Sequence, residues 1–158
     1  MSLLPFFQWC ENTGLVATLR DIRWLVPTIE AIHVMGFALI GGAVLVVNLR
    51  LLGLGLWRQP VAQVARDAER WLLISLFVIL PTGFILFMTE AVKCYSYLAF
   101  WVKMTALFLA LVFTFTVHRK VAMADETRVS PGVSKLVAWV SLSLWSCVGI
   151  AGRLIGFS

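Results

Sequence analysis

Charge is what this chain most lacks: Asp, Glu, Lys and Arg make up 13% of its 158 residues, about half the share in an average soluble domain. Hydrophobic residues reach 61%, where about 45 to 50% is usual. That balance excludes a water-soluble globule, and it excludes disorder, which needs little apolar content and much charge. Three cysteines are too few for a disulfide-dense secreted scaffold. There is no zinc-finger spacing, no Gly-rich phosphate loop of the Walker type, no Ser-His-Asp set and no zinc-protease pair. The 13 Lys and Arg outnumber the 8 Asp and Glu, but they fall between apolar runs, not along an Arg-rich helix, so nucleic acid is not a partner. The remaining class is a small integral membrane protein whose first partner is the lipid bilayer.

What is present is four long apolar runs. A hydrocarbon core of about 30 Å needs about 20 mostly apolar helical residues, and runs of that size predict spans at about 24–52, 70–91, 98–119 and 134–156. Pro27 suits the first turn of the first span. Before it, Leu15, Leu19 and Ile22 recur at helical spacing behind Phe6, Phe7 and Trp9, which predicts an interfacial amphipathic segment over 1–24. That segment lacks the basic start and small-residue end of a cleavable signal, so the first span is expected to direct insertion. The predicted fold is all-α: a single-domain integral membrane four-helix bundle with an N-terminal interfacial segment.

The loop between spans one and two carries Arg50, Arg58, Arg66 and Arg70, and the loop between three and four carries Arg119, Lys120, Arg128 and Lys135. The other side has Arg20, Arg23 and Lys93. The excess of basic residues places both loops in the cytoplasm of a bacterial inner membrane and both termini in the periplasm. Trp24 and Trp101 are expected in one aromatic belt, and Trp57, Trp71 and Trp139 in the other. Cys10 and Cys94 then share the oxidising face, which leaves a disulfide between them open, while Cys147 is expected to be a buried apolar filler in span four.

Ionisable groups inside such spans cost about 2.5 to 3.5 kcal/mol each near the bilayer centre and call for partners. Glu30, His33, Phe37, Gly41, Val44 and Asn48 follow three-and-four spacing along span one, so this stripe is expected to face protein. Glu90, Lys103, Met104 and Arg153 belong to the same leaflet as His33. His118 lies 15 residues beyond Lys103, roughly 22 Å deeper, beside Asn48, Arg50, Arg119 and Lys120. The two histidines therefore occupy opposite leaflets, and one iron cannot take both from a single chain. A haem with one histidine and a weaker ligand such as Met104 or Met88, a site shared with the same residue of a neighbouring subunit, and two separate metal sites all stay open. Glu30 either accepts from His33 as an outer-shell group or pairs with Lys103 or Arg153, with Glu90 nearby. His118 is either an interfacial histidine at a helix C-terminus or a ligand. For Met104 and Met88 the plainer role is packing.

Trp24-Leu25 with Pro27, Glu30 and His33; Leu49-Arg50-Leu51-Leu52-Gly53; Gly83 with Leu86-Phe87 and Glu90-Ala91; Phe100 with Lys103-Met104; His118-Arg119; and Gly152-Arg153 together carry a resemblance. Over nearly its whole length the chain resembles a family of small bacterial four-helix membrane proteins of unknown function, and it is distantly similar to copper-resistance-D-like and other b-type haem membrane bundles. The resemblance implies that both histidines matter and favours haem, but it names no ligand and carries no activity. The chain departs from it at Asn48, where an aspartate is expected.

Three functions compete. The first is a b-type haem protein for electron transfer or small-molecule redox chemistry, with His33 as axial ligand, Lys103 and Arg153 holding propionates, and a redox partner or quinone. The second is a copper protein for binding, sensing or delivery, using His33 with methionine or Cys94. The third is a non-catalytic bundle or small transporter. Gly152 with Gly156, and Ala38 with Gly42, offer close helix approach and point to a homo-oligomer.

Overall fold

The computed structural model describes residues 3–55, 58–124 and 127–156. Helix α1 (Leu4–Glu11) starts with a proline in its first turn, where no N–H is needed. It stops at Thr13, whose backbone is extended and whose hydroxyl donates to the Trp9 and Cys10 carbonyls. Helix α2 (Gly14–Asp21) follows, then α3 (Leu25–Leu51) and α4 (Val61–Thr89), of 27 and 29 residues. A short α5 (Ala91–Ser96) leads into α6 (Leu98–Phe113), which continues through a π-helical turn (Thr114–His118) into α7 (Arg119–Met123) as one rod. Helix α8 (Pro131–Gly156) completes the chain, and no strand occurs among the described residues.

Four rods are long and apolar enough to cross a membrane: Leu25–Leu51, Val61–Thr89, Leu98–Met123 and Pro131–Ile155. The chain is thus a multi-pass membrane protein, with short connections that make successive rods antiparallel and leave both termini at one end, the cap end. The opposite end carries the two loops. Contacts run chiefly between α3 and α4 and between α6 and α8, with α3 against α8 joining the pairs and α4 against α7 closing the ring toward the loops.

Two boundaries differ from the sequence expectation. The second helix begins at Val61, not near 70, because Val61, Val64 and Ala65 are buried against Val47, Leu51, Ala122 and Ala138, and this packing carries the helix through its charged stretch. The third rod runs on to Met123, past His118. In the N-terminal segment Val16 is the fully buried residue, and Leu15 and Ile22 stay exposed, as on a helix that turns its apolar face to lipid. Trp24, Trp71, Trp101 and Trp139 are exposed, as residues of aromatic belts are, and Trp57 lies outside the described residues.

The interior interleaves alanines and valines with a few larger side chains. Ile40, Ala43, Val44, Leu72, Ile79, Ala106, Ala110, Trp145 and Val148 form the central cluster, while Phe77, Phe84, Phe108, Leu136 and Ile150 point outward. Lipid tails are as apolar as leucine, so close packing and interhelical hydrogen bonds hold such a bundle together, not burial from water. Gly36 shows the close approach: a Cβ there would stand 2.9 Å from Ile79 Cγ1.

At the cap end, Phe7 sits among the rings of Phe87, Tyr95 and Trp101. Glu11 Oε2 accepts from the Val92 N–H at 2.9 Å, and Arg20 donates both to Glu11 Oε1, at 2.6 Å, and to the Thr89 carbonyl at the end of α4. These contacts fasten α1 and α2 onto the ends of α4 and α5. Cys10 and Cys94 are buried free thiols here, so the pairing left open by the sequence is not formed. Cys147 is exposed, contrary to expectation, since Ala151 and Val148 take the buried face of α8 beside it.

Candidate functional site

Polar groups inside the rods gather in two layers, one toward each end. In the cap-end layer, His33 projects from α3 onto α4, where Pro81 removes one backbone donor and Gly83 removes a side chain. A Cβ at Gly83 would stand 3.0 Å from His33 Cε1, so the glycine is what lets the imidazole lie against this helix. His33 Nδ1 is 3.0 Å from Thr82 Oγ1. The Thr82 hydroxyl has one proton, and it is donated at 2.7 Å to the Val78 carbonyl. With its proton so placed, Thr82 accepts from an imidazole protonated on Nδ1, which also has the Ile79 carbonyl within hydrogen-bond reach, and in that tautomer Nε2 carries the lone pair. His33 is only partly buried, so that nitrogen is reachable.

Lys103 from α6 stands close enough for its charge to act on His33, and its side chain lies over Gly152 of α8, where a Cβ would stand 3.6 Å from Nζ. Arg153, the neighbour of Gly152, is exposed in the last turn of α8. Four helices thus contribute to this layer, with two cations and one oriented imidazole.

The carboxylates expected beside His33 are elsewhere. Glu30 is exposed and forms no hydrogen bond with His33 or ion pair with Lys103 among the described residues, because three residues of helix carry it to the outer surface while Thr82 takes the imidazole. Glu90 is exposed at the end of α4 and pairs with Lys93 at 3.7 Å. Met104 is 46% exposed and faces out of the bundle, and Met88 is partly buried. Cys94, outside the spans, has its thiol pushed up by burial first and by the nearby Glu90 charge second, which keeps it protonated.

The loop-end layer is more enclosed. His118 Nε2 lies 3.0 Å from Asn48 Oδ1, and Asn48 Nδ2 donates to Ser141 Oγ at 3.1 Å. The three side chains join α6–α7, α3 and α8, and are 6%, 0% and 1% exposed. Trp145 Nε1 donates to Thr114 Oγ1 at 3.1 Å one turn away. The amide oxygen can only accept, so His118 carries its proton on Nε2. Beside it lies a cleft of about 40 Å³, lined in part by Ala65, Ala68, Leu72 and Phe115, with Arg119 bonded to Glu69 at 2.9 Å on its rim.

His118 is inward and buried, not interfacial, because of the π turn. Ala106, Ala110, Thr114, His118 and Ala122 are all buried and recur every fourth residue. On an α-helix of 3.6 residues per turn each such step drifts by about 40°. The turn in which the Arg119 N–H reaches the Thr114 carbonyl, five residues back, cancels part of that drift and keeps His118 on the buried face. This four-residue recurrence of small residues is a signal in the sequence that could point to the buried face, though not to the partners found on it. Ser141 and Thr82 carried no such signal, since a hydroxyl in an apolar span usually bonds its own helix.

The model of a protein family described as a family of unknown function (DUF6644) matches residues 6–158. No curated protein and no solved structure matches the chain.

Proposed function

The chain belongs to the DUF6644 family, and from that premise we propose that it is a b-type haem protein of the bacterial inner membrane, with His33 as an axial ligand. One observation carries this reading: Thr82 holds the His33 Nδ1–H and leaves Nε2 free on a partly exposed ring. Metal-bound histidines almost always donate their other ring N–H to a protein acceptor in this way. Lys103 and Arg153 are two cations at the same end, suited to paired carboxylates such as haem propionates. Bound there, a haem iron supplies one-electron chemistry, and the protein supplies the imidazole, the cations and an apolar surround. In a homo-oligomer, the His33 imidazole of a neighbouring copy would be available to hold the group as well. In this reading the termini face the periplasm and a quinone or protein partner exchanges the electron.

Copper is the weaker reading. Among the described residues no three His, Cys, Asp or Glu side chains converge to hold an ion, Met104 faces outward, and Cys94 is kept in its protonated form. Haem needs only one or two protein ligands, so the same donor set suits it better.

The test is an absorption spectrum of detergent-purified protein, oxidised and reduced, before and after haem addition, with metal analysis alongside. A Soret band that is lost in His33→Ala and kept in His118→Ala is expected. A wild-type protein with no Soret band after haem addition would falsify the proposal, and bound copper without haem would replace it with the second reading.

A further inference from the structure

His118 enters the loop-end network through one ring nitrogen. Its Nε2–H donates to Asn48 Oδ1 at 3.0 Å, and a neutral ring protonated there keeps its lone pair on Nδ1. Among the described residues Nδ1 has no hydrogen-bond partner, yet no side-chain nitrogen or oxygen sealed from solvent lacks one. Nδ1 must therefore touch accessible space, and the space that His118 borders is the cleft of about 40 Å³ between α4 and the α6–α7 rod. Thr114, one turn earlier on the same buried face, also borders it. Its Oγ1 accepts from Trp145 Nε1 at 3.1 Å, a bond that leaves the hydroxyl proton to be donated. Glu69 and Arg119 are the charged side chains of the lining, bonded to each other at 2.9 Å. Their side chains are 25% and 55% exposed, so this pair joins the cleft to the water at the loop end. The other elements packed on His118 present neutral groups, Asn48 from α3 and Ser141 from α8. The cations Arg50 of α3 and Lys135 of α8 border a separate cavity, and Arg66, Asp67 and Arg70 of α4 are exposed outside the cleft lining.

We propose that His118 is a proton-accepting site, served by water that enters this cleft from the loop side. A bound water needs about 10 to 15 Å³ of such volume and two to four polar partners. A cleft of about 40 Å³ bordered by an imidazole, a hydroxyl and a carboxylate meets both conditions. A proton from bulk water first rests on the Glu69 carboxylate. An N–H bond then forms at His118 Nδ1 as an O–H bond of the cleft water breaks, and the water recovers its proton from the Glu69 carboxyl. The carboxylate is left paired with Arg119, and the imidazolium keeps its Nε2–H on Asn48 Oδ1, so the charge enters without breaking the network. The π turn that holds His118 on the buried face sets the ring between network and cleft, and such turns inside α-helices are frequent at functional sites. The site is independent of the haem reading, since His33 lies in the other layer.

The experiment is long-range proton–nitrogen NMR of the full-length protein, labelled with 15N-histidine in detergent micelles. It runs from about pH 8 to about pH 4, across the range in which histidines titrate, with circular dichroism checking the fold at each step. The chain has two histidines, so the spectrum of His33→Ala assigns His118. At neutral pH His118 should show the Nε2–H tautomer. On acidification its Nδ1 signal should shift to the protonated position, with exchange of that proton against water. Ala68→Leu puts a larger side chain into the cleft, and both the shift and the exchange should be lost. Glu69→Gln keeps the volume and removes the carboxylate, so the exchange should slow and the midpoint of the shift should move. Glu69 is already partly exposed, which keeps the test decisive if Ala68→Leu does not fold. A histidine that only ties rods together would keep one tautomer throughout. A His118 that stays neutral over the whole range in folded wild type, or that titrates and exchanges alike in wild type and every variant that folds, overturns the proposal.

Discussion

The bond from Asn48 to His118 is the sharpest place to test the architecture, because with the bond to Ser141 it ties three rods together. Asn48→Ala removes the acceptor of His118 Nε2–H and the donor to Ser141 at once. Asn48 is 0% exposed, so water cannot replace what is lost. Interhelical hydrogen bonds in membrane proteins contribute about 0.6 kcal/mol on average and up to about 1.7, and an orphaned buried donor costs about 1 to 3 kcal/mol. The variant should therefore lose roughly 2 to 4 kcal/mol. A double-mutant cycle separates the bond from the cavity left by truncation. Coupling between Asn48→Ala and His118→Ala should be about 1 kcal/mol, and similar between Asn48→Ala and Ser141→Ala. The cycle between His118→Ala and Ser141→Ala, which touch only through the amide, should come out smaller. Reversible unfolding by sodium dodecyl sulfate in mixed micelles, followed by circular dichroism, gives each value. Coupling indistinguishable from zero for both Asn48 pairs would refute the network.

Three further outcomes follow from the cap end. Thr82→Val frees the His33 ring to change tautomer, so affinity for a metal centre at Nε2 should fall by about 10- to 100-fold while the fold survives, as read by haem titration against circular dichroism. Gly83→Val forces a side chain onto the imidazole that lies 3.0 Å from the Cβ position. Overpacking of this kind costs about 1 to 3 kcal/mol, a lower Tm than wild type. Glu11 has its carboxyl held below the ordinary value, by the Arg20 hydrogen bond first and the Val92 N–H second. A depressed folded pKa contributes stability that is complete above the unfolded carboxylate value and is lost as pH falls through the folded one. Acidification should therefore loosen α1 and α2 from α5, seen as a change in Trp9 and Trp101 fluorescence, and Glu11→Gln should show the loosened signal at neutral pH with no acid transition.

The number of rods and the membrane setting were legible in the sequence, because a span needs only length and scarcity of charge, both local properties. The opposite placement of the two histidines followed as well, since a helix converts residue number into depth at a fixed rise. The partners of those histidines were not legible. Glu30 stands three residues from His33 and looked the natural acceptor, yet Thr82, 49 positions away, takes that role. Only the register of α3 against α4, set by glycines at 36 and 83, brings it there. Likewise Ser141 and the burial of His118 depend on how α8 and the π turn meet α3. One-dimensional pattern fixes which residues are costly to bury; the packing of the rods decides which neighbour satisfies each of them, because hydrogen bonds act over about 3 Å and sequence carries no distance between helices.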